Sequence, residues 1–367
     1  MTESGGEFLR TSVRWTVCVF MVCLCHPLMA TSQETFHWDG EEMTLMFPTP
    51  SVDSSGSMPI GNGECAANVW IEEATGDLMI LLARTDTWDS FGRLLKPGRV
   101  RISFEDDGPF LPRNFIDQTL DLRRGTIRIR GKNTSGLSEV RVLADAGMPL
   151  IRVEFSGMSG PVRTTLETWR NERRDLTEEE MGNVDEAGLT KDDPPYEEPD
   201  VVVSEPDSDR ITWYHRNEVS VWPVTMRLQG FAQVMDQFTD PLIHRTSGGT
   251  IFSPDTTVNR VDDRTLILTE FPDGTGSLAV VMHTAQTPTP EIWREQLDEQ
   301  VRTVTESVDR SESLLVHERW WNDFWRRSYI RILTSTPTMG GQTGLPMVHL
   351  PFTLGMSSQP GVSGFHG

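Results

Sequence analysis

Asn62, Trp88 and Asp89 have the types and settings that could hold a neutral, hydroxyl-rich ligand. Asn62 stands between Gly61 and Gly63 in the stretch "SMPIGNGECAANVWIE", Ser57 to Glu72. Glycine permits positive φ and lets a ligand or another backbone approach closely, so the Asn62 amide can meet a sugar hydroxyl. The same triplet also reads as a tight turn feeding the strand-like "ECAANVWIE", and local sequence leaves both readings standing. It is not a phosphate loop, because no strand–glycine–helix unit surrounds it. In "LLARTDTWDS" (Leu81 to Ser90) an apolar run ends and Trp88 and Asp89 emerge together. An indole plane beside a carboxylate suits carbohydrate: the ring covers C–H faces and the carboxylate accepts hydroxyls. A tryptophan at a strand end also serves as core packing, and that reading stands beside the first.

Other chemistries find less support. The eight histidines are scattered, with no His-Glu-x-x-His and no Cys/His cluster, so no metal or cofactor is expected. No Gly-x-Ser-x-Gly elbow is present. Carboxylates are abundant enough for a glycosidase pair, yet none stands out, and no catalytic residue is assigned. The "NTS" at Asn133 is an acceptor for N-glycosylation only in a host that performs it.

The composition agrees with a neutral ligand. The chain has 367 residues and a formal charge of −21. That balance excludes nucleic acid as a partner, since phosphate binding needs clustered Lys and Arg. An apolar fraction of 37%, with 11 Trp and 16 Phe, suffices for a globular core. Arg10 and Arg14 precede the apolar run "WTVCVFMVCLC", and "PLMA" ends on the small Ala30. The run is shorter than the about 20 apolar residues of a membrane span. Residues 1–30 therefore read as a cleaved signal peptide, which predicts a secreted or periplasmic protein with no membrane contact afterwards. Cleavage leaves Cys65 as the remaining cysteine of four, a small buried filler with no disulfide partner.

The elements that must position these residues are strands. "DLMILLAR", "RVRISFE", "GTIRIRG", "SEVRVLAD", "PLIRVEFSG" and "VRTTLETW" fall between Asp77 and Trp169. Several alternate apolar with polar residues, the period of a half-buried strand, and no helical crossover separates them. Strands resume at "ITWYHR" and run on through "RTLILTEF" and "GSLAVVMHT". Between them, residues 171–210 form an acidic, proline-punctuated excursion poor in apolar groups and long for a plain loop. After Pro288 and Pro290 the period changes. Trp293, Leu297, Val301, Val304 and Val308, then Leu314, His317, Trp321, Phe324 and Trp325, fall at helical spacing. The reading is a mainly β protein: an antiparallel β-supersandwich over 31–288, a two-helix linker over 289–328 and an irregular tail over 329–367.

Taken in order, several stretches resemble the N-terminal part of bacterial six-hairpin glycosidases. The nearest is a domain of unknown function, DUF5703, related to the family 95 α-L-fucosidases. Pro59 to Gly63 match its "P-[IL]-GNG" loop, and Thr85 to Trp88 match a Thr-Asp-x-Trp turn. "DSFGRLLKPGRVRISF" (Asp89 to Phe104) is closer to the unknown-function group than to the fucosidases. "WWNDFWRRSYIRI" (Trp320 to Ile332) resembles a tryptophan-rich linker helix leading into the barrel. The resemblance implies that the "PIGNG" loop lies on a sandwich edge facing that barrel, and that the catalytic residues belong to the barrel. Only 35 residues follow Ile332. Twelve helices of about 11 residues each do not fit there. The expectation is therefore a truncated, non-catalytic front domain that supports and rims an absent barrel acting on carbohydrate. Its stranded aromatic helix face would then be a surface for self-association. The other readings are a free-standing carbohydrate-binding module and a degenerate structural fragment.

Overall fold

The computed structural model describes residues 43–104, 108–181, 195–205, 208–269, 271–306 and 310–328. Residues 1–30, expected to be a signal peptide, the tail 329–367 and the middle of the acidic excursion lie outside the described residues.

Alternating strands bury one face each, and two sheets solve that requirement by facing each other. The first sheet has nine strands. Their spatial order is β1 (Thr44–Phe47), β6 (Phe115–Asp121), β7 (Thr126–Asn133), β8 (Gly136–Ala144), β9 (Leu150–Ser156), β18 (Gly276–Gln286), β15 (Arg245–Phe252), β14 (Ile211–Arg216) and β13 (Val201–Val202). The second sheet has seven, ordered β16 (Val258–Asp262), β17 (Thr265–Leu268), β10 (Val162–Glu167), β5 (Arg99–Phe104), β4 (Leu78–Arg84), β3 (Cys65–Ile71) and β2 (Met58–Gly61). Each of these strand pairs is antiparallel. The core lies between the sheets, where Ile80, Val100, Ile102, Ile127, Ile129, Val140, Val142, Val153 and Leu278 are fully buried. In β7 the inward Ile127 and Ile129 alternate with the half-exposed Arg128 and Arg130, as the period-2 pattern requires.

β6 and β15 are strands whose sequences hide them. β6 buries Asp117, Gln118 and Thr119, and Asp117 is satisfied by an ion pair with Arg130 on β7. β15 carries Gly248–Gly249, which reads as a turn. In the sheet these glycines are where neighbouring strands come too close for a side chain. A Cβ on Gly248 would stand 2.1 Å from the Trp213 carbonyl oxygen, and one on Gly249 would stand 2.4 Å from that of Val281.

The outer face of the nine-stranded sheet carries two helices, α3 (Pro290–Glu306) and α4 (Arg310–Arg327). α3 buries Trp293 and Leu297 against Leu150, Phe252, Ala279 and Val281. α4 buries His317, Trp321 and Trp325, one turn apart along one face. Its seat is the β6–β7 connection. The indole of Trp321 lies on Gly125, where φ is +60 and a Cβ would meet Nε1 at 2.2 Å. Trp325 Nε1 donates to the Leu122 carbonyl at 2.5 Å, and Arg123 Nε donates to Asn322 Oδ1 at 2.7 Å. This corrects the expectation of a stranded aromatic face: Trp321 and Trp325 are buried, seated on the chain's own β6–β7 connection. The indoles sort by side of the helix, and on the adjacent stripe Val316 and Trp320 remain exposed. Two short helices, α1 (Glu178–Met181) and α2 (Trp222–Leu228), sit in connections. No helix among the described residues is long and apolar enough to cross a membrane.

The acidic excursion is ordered at both ends. β11 (Arg174–Asp175) pairs with β12 (Tyr196–Glu197), and Arg174 bridges Glu180 and Glu197 at 2.7 Å each. Arg93 reaches Glu197 at 3.4 Å, and Phe91 packs edge-on against Tyr196. Charge pairing anchors what composition alone would leave loose.

Gly248→Ala is expected to destabilise the fold by about 1–3 kcal/mol through overpacking against β14. Urea unfolding checks this: the midpoint should fall with an unchanged slope, and a midpoint equal to the parent's would contradict the close-approach account.

Candidate functional site

The strand directions gather several connections, two of them long, at one end of the sandwich. The β2–β3 turn, residues 85–98 after β4, the β6–β7 and β8–β9 turns, and residues 217–244 after β14 all lie at this loop end. α4 also finishes there, through the Trp325–Leu122 bond.

Asn62 is a staple at this end. Its Nδ2 donates to the Asp145 carbonyl at 2.6 Å and to the Met148 carbonyl at 2.8 Å. Its Oδ1 accepts from the amides of Glu64 at 3.0 Å and Cys65 at 2.9 Å. An amide has two donors and one carbonyl oxygen, so the group is used up inside the protein and joins the two sheets. Of the two readings of the triplet, the turn accounts for every contact Asn62 makes. β2, which leads into the triplet, is an edge strand of the seven-stranded sheet.

Asp89 is likewise committed. It is 3% exposed, its Oδ1 accepts from the amides of Phe91 and Arg93, and its Oδ2 pairs with Arg93 Nε at 2.7 Å. The carboxylate shapes the loop and has no face toward a ligand. Trp88 differs. Its carbonyl accepts from Asn217 Nδ2 at 3.0 Å, which fixes the backbone, while the residue stays 40% exposed. Trp88 and Asp89 thus share a loop but not a site: one points out, the other braces from within. Neither touches Asn62.

Sequence reading missed two features of this end. One is a buried cation: Arg84 pairs with Glu64 at 2.5 Å and Asp86 at 2.8 Å and donates to the Met282 carbonyl at 3.1 Å. The other is the 217–244 connection, joined to the Trp88 loop by the bond from Val221 N to Ser90 O at 2.9 Å. Within it Val219, Leu228, Phe231 and Phe238 are exposed, and α2 has no buried residue. Its apolar residues follow no period, so periodicity could not place them; their density beside a Trp-Pro pair was the available signal.

Burial pushes the Cys65 thiol up to about 12, which leaves it protonated and unreactive. No group of three or more His, Cys, Asp and Glu side chains converges on a metal position among the described residues. A groove of about 310 Å³ on the outer face of the large sheet holds Glu139 and Glu154. Both face the same guanidinium, Arg141, at 3.8 and 3.3 Å. At the glycosylation sequence, Asn133 Nδ2 donates to Ser138 Oγ at 2.8 Å and to the Gly157 carbonyl at 2.7 Å. The nitrogen a glycan would need is occupied.

Asn62→Ala should lower stability by about 2–3 kcal/mol, since it strands buried partners on two turns. Thermal unfolding of the purified variant would test this; an unshifted transition would mean that the staple is dispensable.

No protein of curated function matches the chain. Among solved structures it is similar to a "Putative kojibiose phosphorylase from human microbiome", with 10% identity and a TM-score of 0.43. The match covers 80% of this chain and 39% of that one, so the chain spans well under half of that protein's length. The "Domain of unknown function (DUF5703)" profile, in its N-terminal part, matches residues 46–330. The match takes in both sheets and both outer helices, and the chain belongs to the DUF5703 family.

Proposed function

We propose that this chain is the non-catalytic front domain of a glycoside hydrolase-like protein, which supports and rims a helical barrel acting on carbohydrate. The carrying observation is that the exposed aromatic connections and the end of α4 lie at the same end of the sandwich. A body docked there would cover Trp88, Phe231 and Phe238 and meet the α4 stripe of Val316 and Trp320. The likeness of "PIGNG" and "WWNDFWRRSYIRI" to the front of six-hairpin glycosidases, family 95 included, supports this reading. Residues 1–30 would direct the protein out of the cytoplasm and be removed. Without its barrel the domain would offer the Trp320 stripe for self-association.

A second reading is favoured by Trp88 alone, whose ring is available to stack on a sugar: a free-standing carbohydrate-binding module. The tests separate the two. The purified chain is expected to hydrolyse no aryl fucoside or other aryl glycoside. Turnover abolished by a single carboxylate substitution would overturn the non-catalytic assignment. On a glycan array the supporting-domain reading expects no retained oligosaccharide. The binding-module reading expects retention, weakened at least tenfold, about 1.4 kcal/mol, in Trp88→Ala.

A further inference from the structure

α4 is held at the loop end by a histidine that has to be neutral. His317 is 1% exposed, and its Nδ1 accepts the backbone N–H of Ala146 at 3.2 Å. A backbone N–H cannot be turned round, so Nδ1 carries no proton and the ring's one proton sits on Nε2. Nε2 is buried with no hydrogen-bond partner among the described residues, and the backbone of Gly125 and Arg124 lies close enough to the ring to favour its charged form. One ring thus bridges the β8–β9 turn and the β6–β7 connection, the two places on which α4 rests.

We propose that His317 is an acid-sensitive latch: protonation at Nδ1 sets two donors against each other at Ala146 and releases α4 from the nine-stranded sheet. Release would uncover Trp321 and Trp325.

The charged groups around the ring belong to three elements. From the β8–β9 turn comes Asp145, partnered by Arg152 of β9 at 3.6 Å and by Ser313 of α4 at 3.4 Å. From α4 itself comes Glu318, paired at 3.5 Å with Arg124 of the β6–β7 connection; Arg124 is also held by Asp121 at 2.7 Å. Asp145 and Glu318 favour the imidazolium, but burial is the largest influence and holds His317 below its ordinary value near 6.5. The unfolded or released ring therefore takes up its proton first. The latch is fully set above about pH 6.5, and its contribution falls as the pH drops from there through the lower folded value.

His283 on β18 supplies an internal control. It is also held low by burial, and it meets Gln296 of α3 at 3.0 Å and Gln300 at 2.9 Å. Those partners are side-chain amides, which can turn over and accept from a protonated ring. A backbone donor cannot.

Hydrogen exchange of the whole protein, corrected for the intrinsic rate and read on peptides spanning 310–327, tests the latch. Between pH 7.5 and pH 5 the parent should lose protection there at least tenfold while β15 and β18 stay protected. His317→Gln should remove the pH dependence, and His283→Gln should keep it. Asp145→Asn, by deleting a carboxylate that favours the imidazolium, should move the loss to lower pH. Unchanged protection in the parent down to pH 5, or full pH dependence in a folded His317→Gln, would overturn the proposal. Should His317→Gln fail to fold, Asp145→Asn decides, and a loss left in place or moved to higher pH would overturn it.

Discussion

The β8–β9 turn, residues 145–149, is gripped from both sides, and the arrangement of the loop end depends on that grip. On the sandwich side Asn62 ties the carbonyls of Asp145 and Met148 to the β2–β3 turn of the opposite sheet. On the outer side α4 reaches the same turn through His317 at Ala146 and Ser313 at Asp145. Hydrophobic burial between the sheets supplies most of the cohesion, but it is non-directional. The turn adds direction: it fixes how the second sheet meets the first and where α4 ends.

Much of the fold was legible because its strands follow the simple rule of alternation. "RVRISF" and "TIRIR" place Val and Ile inward and Arg outward, and β5 and β7 do the same. The helices were legible for a related reason, since Trp293 and Leu297 fall one turn apart and share a buried face. Where legibility failed, a pairwise tertiary contact had replaced the pattern. β6 buries Asp117 on the outer face of its sheet because its cross-strand partner Arg130 neutralises it. β15 tolerates Gly248–Gly249 because β14 and β18 press close to it. Neither partner is visible from local sequence.

The candidate site shows the same division. Asn62 and Asp89 have ligand-binding chemistry, but a side chain's chemistry does not say whether its valences are already spent. Both spend theirs on nearby amides, and Asn62 also on a turn more than eighty residues away in sequence. Trp88 was legible as an exposed plane, while the other features of this end were not. Arg84 ends β4 while Glu64 and Asp86 come from the two connections beside it, and the aperiodic 217–244 connection has no local signature. The loop end therefore combines a rigid polar interior with an apolar exterior. That combination underlies the proposed docking role.

The shared grip can be measured directly by comparing hydrogen exchange in the parent and in Asn62→Ala at neutral pH, across the whole chain. If the β8–β9 turn couples the sandwich to its outer helix, protection should fall together in residues 62–66, 145–150 and 310–327, with β7 and β18 unaffected. Loss confined to residues 62–66 would contradict the account, because α4 would then be seated independently of the staple.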